Sequence, residues 1–200
     1  MYDFTPPVAN LVNELRKIPG IGSKSAQRIV FHLLKSDKDK VMALSEAISD
    51  AVEKTRFCSI CNNITEFEHC EICTSDGRDN SKICVVEEPF NILSIERTGL
   101  YRGMYHVLSG NLSPIKGVGP DELKIGSLER RLDSGEIKEV IIATSPTIEG
   151  NATAIYIFDL LKKKEIKITR IAMGLPIGAD LDYVDSVTIA KSFEGRIEFK

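Results

Sequence analysis

The sequence predicts a mixed α/β chain in which a helical module, a small metal-binding module, an α/β module and a C-terminal tail follow one another. Three observations predict this order. Apolar side chains recur at helical spacing near the N-terminus, four cysteines then fall within sixteen residues, and short β-branched runs afterwards alternate with helical segments. We place the module boundaries at residues 1–56, 57–80, 81–173 and 174–200.

The composition limits the function classes. A chain of 200 residues with 42% hydrophobic side chains can bury a core, whereas its net charge of −3 gives no general attraction to nucleic acid or membranes. Any contact with DNA must therefore come from a local patch. The N-terminus lacks the layout of a signal peptide, and no apolar run approaches membrane-spanning length. We expect a soluble cytoplasmic protein with no membrane partner.

Three helices are predicted in the first module. Leu11, Leu15 and Ile18 share one helical face, and a third helix fits residues 41–55. The second helix carries a longer apolar repeat, formed by Ala26, Ile29, Val30, Leu33 and Leu34. The third has a stripe formed by Val41, Leu44, Ile48, Ala51 and Val52.

The turn between the first two helices has the sequence IPGIGSKS. Pro19 cannot extend the first helix, Gly20 and Gly22 permit a tight turn with positive φ, and Ser23 can cap the second helix. Such a turn leaves free N–H groups at a helix start, where phosphate binds well. Lys24 and Arg28 lie four residues apart and would add positive charge on the same face.

The local charge favours a DNA contact here. Residues 11–35 contain five basic side chains and one acidic side chain, a net charge of +4 in an otherwise acidic protein. The segment resembles the helix-hairpin-helix motif, which holds the DNA backbone without reading sequence. The alternative is an ordinary helix turn with a solvated basic face. A nucleotide-binding P-loop is excluded because the required glycine-lysine spacing and the preceding strand are absent.

The second module is a predicted zinc site. Cys58 and Cys61 form one C-x-x-C pair, and Cys70 and Cys73 form another eight residues later. Two such pairs give a closed tetrahedral set of four thiolates, which predicts one structural Zn²⁺ ion. The alternative is four unrelated buried or redox thiols. Cys84 and His69 lie outside this spacing, and we expect a buried core thiol and a surface histidine, respectively.

The third module predicts a mostly parallel sheet covered by helices. Residues 74–82 are polar and predict a loop. Four β-branched runs predict strands at residues 83–87, 105–108, 140–144 and 166–172. Helices are predicted between them at residues 91–98, 123–133 and 150–163.

Strings along the whole chain resemble the RecR family. In order, they are KIPGIGSKSAQR, the four-cysteine module, ICVVE, LSPIKGVGP, ATSPTIEGNATA and RIAMGLPIGADL. The resemblance implies that the α/β module is a Toprim domain, the fold shared with topoisomerases and bacterial primases. It also implies a C-terminal region similar to a Walker B motif, although no Walker A motif accompanies it.

The resemblance assigns a role to several acidic positions. Active Toprim enzymes hold Mg²⁺ with a glutamate after the first strand and a later D-x-D pair. Glu87 matches the glutamate, but Ser145 and Thr147 stand at the D-x-D positions. Because neutral hydroxyls cannot replace two carboxylates, we expect no catalytic residue and no nuclease, topoisomerase or primase activity. Glu149 lies nearby, and Asn151 stands where relatives carry a glutamate.

The resemblance further implies a recombination mediator of DNA gap repair. It would form a homo-oligomeric ring, a dimer or tetramer, around DNA and work with RecO and RecF. Together, the resemblance implies, these proteins would replace single-stranded-DNA-binding protein with RecA. Glu87 and Glu149 belong to the acidic Toprim surface associated with partner binding. Two alternatives remain open: a Mg²⁺-dependent phosphoryl-transfer enzyme, and a zinc-dependent adaptor that contacts only proteins.

Overall fold

A computed structural model describes residues 4–198 of the chain. The chain divides into two compact units, the first ending at Thr55 and the second beginning at Arg56. Within residues 4–198, no helix is both long enough and apolar enough to span a bilayer.

The first unit consists of three helices: α1 at Pro6–Arg16, α2 at Ser23–Lys35 and α3 at Lys38–Lys54. Proline occupies the first turn of α1, where a missing N–H costs nothing. Asp37 caps α3, because its side chain accepts a hydrogen bond of 3.0 Å from the N–H of Asp39.

The core of this unit is small. Val12, Ala26 and Val30 are buried, with partly buried apolar neighbours around them. The predicted apolar face of the first helix is therefore partly wrong: Leu11 is exposed, and Ile18 lies beyond the end of α1 at Arg16. The third helix forms as predicted, yet none of its residues is buried. Most of its apolar stripe is exposed.

The second unit begins with the cysteine segment. A two-residue strand, β1 at Arg56–Phe57, pairs antiparallel with β2 at Ile64–Thr65. A single helical turn, α4 at Glu71–Thr74, follows.

A four-stranded parallel sheet forms the centre of the second unit. Its strands run in the order β4-β3-β5-β6, which confirms the predicted parallel α/β architecture. The strands are β3 at Asp79–Val86, β4 at Gly103–Val107, β5 at Glu139–Ile142 and β6 at Lys167–Arg170. The longer helices between them are α5 at Pro89–Glu96, α6 at Ile125–Leu132 and α7 at Ile148–Leu161.

The polar segment at residues 74–82 is a loop only in its first half. Asp79 pairs with Gly103 and Lys82 pairs with Glu139, so β3 starts four residues earlier than Ile83. The sequence did not predict that residues 79–82 belong to β3, because these residues are polar and only partly buried. Loop-like composition at the end of a strand does not prevent main-chain pairing.

The central strand β3 is buried on both faces of the sheet, as a continuous apolar run requires. Ile83 and Val85 pack in the cluster that includes α6 and α7, and Cys84 and Val86 pack in the cluster that includes Ile92 of α5. The predicted burial of Cys84 is confirmed at 3% exposure.

The last segment, residues 174–198, contains a 3₁₀ turn at Leu181–Tyr183 and helix α8 at Ser186–Glu194. Asp185 caps α8 by accepting hydrogen bonds of 3.0 Å from the N–H groups of Val187 and Thr188. No residue of this segment is fully buried in the chain.

Candidate functional site

The turn between α1 and α2 presents unpaired backbone donors. The first intrahelical bond of α2 joins the N–H of Ala26 to the carbonyl of Gly22 at 2.9 Å, so the three preceding N–H groups have no partner within the helix. Gly22 is the N-cap and contributes no side chain. The predicted cap by Ser23 is therefore wrong, because Ser23 is already the first helical residue.

The two glycines of this turn differ. Gly20 adopts φ +83°, a region that only glycine occupies easily, whereas Gly22 has φ −82°. The expected positive φ is therefore found at Gly20 alone. No heavy atom lies within 4 Å of a Cβ placed on either residue. Packing inside the protein therefore does not require glycine at position 22. Close approach of a ligand backbone to this residue would require it.

Positive side chains surround these donors. Lys24 and Arg28 are both exposed and lie one turn apart on α2. Within residues 4–198, Lys17 is neutralised by Glu14 at 2.7 Å, and neither Lys24 nor Arg28 forms an ion pair. An exposed helix start beside two free cations is suited to a phosphate group.

The four predicted zinc ligands converge. One sulfur from each of Cys58, Cys61, Cys70 and Cys73 lies within 4.8 Å of the others, and the Sγ atoms of Cys61 and Cys70 are 3.5 Å apart. Thiolates bound to tetrahedral Zn²⁺ at ~2.3 Å lie roughly 3.8 Å from one another. The cluster therefore fits one Zn²⁺ ion with no open position for water or substrate.

Backbone hydrogen bonds hold the four cysteines in position. The N–H of Cys70 donates to the Sγ of Cys58 at 3.3 Å, and the carbonyl of Cys61 accepts from Val107 at 2.8 Å, which ties the first pair to the sheet. A hydrogen bond between the sulfurs of Cys61 and Cys70 raises the pKa of Cys61 and lowers that of Cys70. Four thiolates at these separations repel one another, and a bound cation offsets that repulsion.

Cys84 and His69 are not members of the four-cysteine cluster. Burial raises the pKa of Cys84 to about 12, so this thiol is inert. His69 is exposed, as the sequence predicted.

A third group of polar side chains lies where β3 and β5 end. Glu87 is only 8% exposed, and its carboxylate accepts from both the N–H and the hydroxyl of Ser145, at 2.5 and 2.7 Å. The resemblance to the RecR family places both residues at one Toprim metal position, but it does not predict these two hydrogen bonds. Its proximity follows because carboxyl ends of adjacent parallel strands meet at one edge of the sheet.

The hydroxyl of Thr147 is also engaged. It caps α7 by accepting from the N–H of Gly150 at 3.1 Å. A Cβ on Gly150 would lie 2.2 Å from the carbonyl oxygen of Ser145 and 2.8 Å from Glu87, so only glycine fits there. The segment from Ser145 to Gly150 therefore holds the Glu87 side chain in place and also forms the start of α7.

The two acidic residues predicted for partner binding have different environments. Glu87 faces the interior, whereas Glu149 is partly exposed at the first turn of α7. Glu149 lines a cavity of about 420 Å³ together with Glu88, Asn111 and Lys116. Of the two, Glu149 therefore offers the carboxylate that a partner could reach.

Asn151 makes a contact that the sequence did not predict. Its Oδ1 accepts from the Nη2 of Arg170 at 2.7 Å, while the buried Nε of Arg170 has no partner among the described residues. None of the ion pairs in the part of the chain that the structure describes includes Arg170. The neutral amide at position 151 leaves this arginine without a carboxylate.

Family models match nearly the entire chain. Residues 8–52 match the RecR helix-hairpin-helix, residues 55–75 the RecR four-cysteine zinc finger domain, residues 81–172 the Toprim domain and residues 174–197 the RecR C-terminal region. The finger match and the geometry together identify the four cysteines as the site of one zinc ion.

Whole-chain relatives agree with these matches. The chain is 50% identical over 198 residues to the recombination protein RecR of Koribacter versatilis, covering 99% of this chain and all of the relative. It is 51% identical over 198 residues to RecR of Heliobacterium modesticaldum, with the same coverage. It is 52% identical over 189 residues to RecR of Thermobifida fusca, covering 94% of this chain and 95% of the relative.

Proposed function

Because the chain belongs to the RecR family of recombination proteins, we propose that it acts as a DNA-binding mediator of recombination and repair, not as a phosphoryl-transfer enzyme. The observation that carries the proposal is the turn between α1 and α2. It combines three N–H groups that have no partner within the helix, an unobstructed glycine at position 22, and the cations of Lys24 and Arg28, which form no ion pair with the described residues.

The proposed DNA contact is independent of sequence. Gly20 shapes the turn, Gly22 admits the sugar-phosphate backbone, and Lys24 and Arg28 supply charge. Contacts of this kind position a protein on DNA but do not distinguish bases, which are read in the grooves. Each contact is weak and sensitive to salt, since binding releases counterions from the phosphates.

Weak contacts become effective when several subunits act together, and we propose that the protein forms a ring, as a dimer or a tetramer. Exposed apolar side chains support self-association. On α3 they are Met42, Leu44, Ile48 and Val52, with exposed fractions of 47–76%. In the C-terminal segment they include Leu175, Ile177, Val187 and Phe193.

The carboxylate arrangement argues against phosphoryl transfer. In the proposed alignment with Toprim enzymes, Ser145 and Thr147 replace two magnesium ligands, and Glu87 is the remaining one. The hydroxyl of Ser145 already donates to Glu87, and that of Thr147 caps α7. A Mg²⁺ ion prefers carboxylate oxygens and water in an octahedral arrangement, and two engaged hydroxyls are poor substitutes.

The bound zinc ion would hold the two C-x-x-C turns in one orientation. Among the residues around it, Cys61 connects to β4 through the bond from Val107. The module is too short to order itself by apolar burial alone, so metal binding supplies the free energy of its folding. Its role in the proposed function is structural.

We further propose that the protein works in the cytoplasm with RecO and RecF. There it assists replacement of single-stranded-DNA-binding protein by RecA. Glu149 is the proposed acidic contact for such a partner, because its side chain is accessible. Glu87 would act indirectly, by fixing the segment from Ser145 to Gly150 on which Glu149 is carried.

The test of the DNA contact is duplex binding at low salt by fluorescence anisotropy. We expect the Lys24→Ala/Arg28→Ala variant to bind at least about tenfold more weakly than the wild type, as loss of two phosphate contacts implies. The matched control is Lys138→Ala/Lys163→Ala, which removes two exposed lysines outside the first unit. If both variants lost the same amount of DNA affinity, the DNA contact would not lie specifically at the turn between α1 and α2.

A second candidate is a Mg²⁺-dependent Toprim enzyme, which Glu87 alone favours. It is tested by incubating the protein with supercoiled plasmid and Mg²⁺ or Mn²⁺. We expect no cleavage or relaxation. Turnover that disappears in Glu87→Ala would support the enzyme and exclude the proposed non-catalytic role.

A further inference from the structure

A groove of about 480 Å³ lies between the zinc module and α5. We call it the zinc-side groove. It is formed by the segment from Asn63 to Phe67, by the start of α4 and by one face of α5. The side chains that line it include Ile64, Glu66, Phe67, Glu71, Leu93 and Glu96.

The groove has large apolar side chains on both walls. Phe67 is 68% exposed on the zinc module, and Leu93 is 55% exposed on α5. On α5, Pro89, Ile92, Leu93 and Glu96 follow the i, i+3, i+4, i+7 spacing of one helical face, and all four line the groove. Pro89 and Ile92 are buried on this face, whereas Leu93 remains largely exposed. Leu93 is therefore an apolar side chain at the groove that the described residues of this unit leave uncovered.

The rim of the groove is acidic. Glu66 and Glu71 make no ion pair within residues 4–198, whereas Glu96 is held by Arg78 in a bidentate pair, with Nη1 to Oε1 at 2.9 Å. The stretch from residue 57 to residue 77 contains four acidic residues and no lysine or arginine. A Zn²⁺ ion bound by four thiolates adds a net charge of about −2.

This charge is opposite in sign to that of the proposed DNA contact. The field of the zinc module therefore repels phosphate and attracts cationic groups. A nucleic acid is accordingly a poor ligand for the groove. A protein segment that presents lysine or arginine beside a bulky apolar side chain complements both the rim and the walls.

We propose that the zinc-side groove is a docking site for a short basic segment of a partner protein. An apolar side chain of that segment inserts between Phe67 and Leu93. Its basic residues pair with Glu66 and Glu71 at the rim. The site is separate from the residues assigned to DNA, so it does not depend on the proposed DNA contact.

The test uses a displayed library of random dodecapeptides, selected on the zinc-loaded full-length protein. We expect enriched peptides to carry several lysines or arginines around one or two bulky apolar residues. Their affinities, measured by anisotropy, should fall at least about tenfold in Leu93→Glu and also in Glu66→Lys/Glu71→Lys, as changes at an interface of this kind imply. Zinc content and circular dichroism confirm that each variant is folded.

Two exposed positions outside the groove provide matched controls. Leu100→Glu introduces the same charge at a leucine that is 88% exposed, and Glu165→Lys reverses an exposed charge. Both should bind the selected peptides like the wild type. DNA binding should be unchanged in the groove variants, so failure here is distinguishable from failure of the proposed DNA contact.

Three results would overturn the proposal. The first is enrichment of acidic or neutral peptides, or of none. The second is retention of binding in both groove variants. The third is a shift to a smaller oligomer in Leu93→Glu, measured by light scattering, because a second copy of the chain would then be the occupant of the groove.

Discussion

The carboxylate of Glu87 is held by Ser145 through two hydrogen bonds, one from the backbone N–H and one from the hydroxyl. The two residues are 58 positions apart in sequence and meet where β3 and β5 end. In a Toprim enzyme this edge of the sheet binds metal with several carboxylates. Here the N–H and the hydroxyl of Ser145 both donate to the carboxylate of Glu87, and we propose that this pair has a structural role.

Removal of the Ser145 hydroxyl should destabilise the protein. In Ser145→Ala, one oxygen of the buried Glu87 carboxylate loses its partner, and we expect a loss of about 1–3 kcal/mol in the free energy of unfolding. Urea denaturation measures this change. The control is Ser94→Ala on the exposed side of α5, for which we expect a change within about 0.5 kcal/mol. Equal stability of the two variants would show that the hydroxyl contributes nothing.

The two glycines of the turn should respond differently to alanine. Gly20→Ala places a side chain at φ +83° and should cost about 1 kcal/mol in stability. Gly22→Ala should leave stability unchanged, because no atom lies within 4 Å of the new Cβ, but should weaken DNA binding. Urea denaturation and anisotropy separate the two effects. Gly77→Ala, also unobstructed but outside the turn, is the control. Normal DNA binding by Gly22→Ala would contradict a close approach of the phosphate backbone.

Loss of one zinc ligand should remove the metal. We expect one zinc ion per chain in the wild type and in Cys84→Ala, and none in Cys70→Ser, as measured by elemental analysis. Without the metal, the zinc module lacks the free energy that folds it. The amide chemical shifts of residues 56–75 should therefore move to values typical of unfolded chains. Zinc retained in Cys70→Ser, or lost in Cys84→Ala, would show that the ligand set is wrong.

His106 should make stability dependent on pH in the acidic range. Burial lowers its pKa from 6.5 to about 4; its Nε2 lies 2.8 Å from the carbonyl oxygen of Lys124, and the guanidinium of Arg131 lies beside Nδ1. Between these two pKa values the unfolded chain binds the proton more readily than the folded chain. Stability is therefore complete above pH 6.5 and falls as the pH drops towards 4.

The expected loss from this residue is about 2 kcal/mol between pH 7 and pH 5. Urea denaturation at both pH values measures it in the wild type and in His106→Gln, where that part of the pH dependence should disappear. His69→Gln, at an exposed histidine, should keep the pH dependence of the wild type. If the free energy of unfolding of His106→Gln changed with pH as much as that of the wild type, the imidazole of His106 would not be held neutral in the folded protein.

The sequence was sufficient for the order of elements and for the metal site. Apolar periodicity predicted the helices, β-branched runs predicted the four strands of the sheet, and cysteine spacing predicted the zinc ligands. Each of these patterns extends over only a few neighbouring residues, so it can be recognised without knowledge of the tertiary structure. The start of β3 at Asp79 was missed because main-chain pairing with β4 and β5 does not require apolar side chains.

Side-chain contacts between distant elements were not predictable in the same way. The cap by Gly22 in place of Ser23 depends on the backbone angle at which the turn enters α2. The burial of Glu87 and the pairing of Asn151 with Arg170 depend on where neighbouring strands end. Sequence placed these residues on the correct elements without indicating their partners.

The salt dependence of duplex DNA affinity tests the central claim most directly. If Lys24 and Arg28 each neutralise a phosphate, the slope of log K against log salt should be shallower by about 2 in the Lys24→Ala/Arg28→Ala variant than in the wild type. The slope should be unchanged in Lys138→Ala/Lys163→Ala. An unchanged slope in the first variant would contradict the assignment of the DNA contact to the turn between α1 and α2.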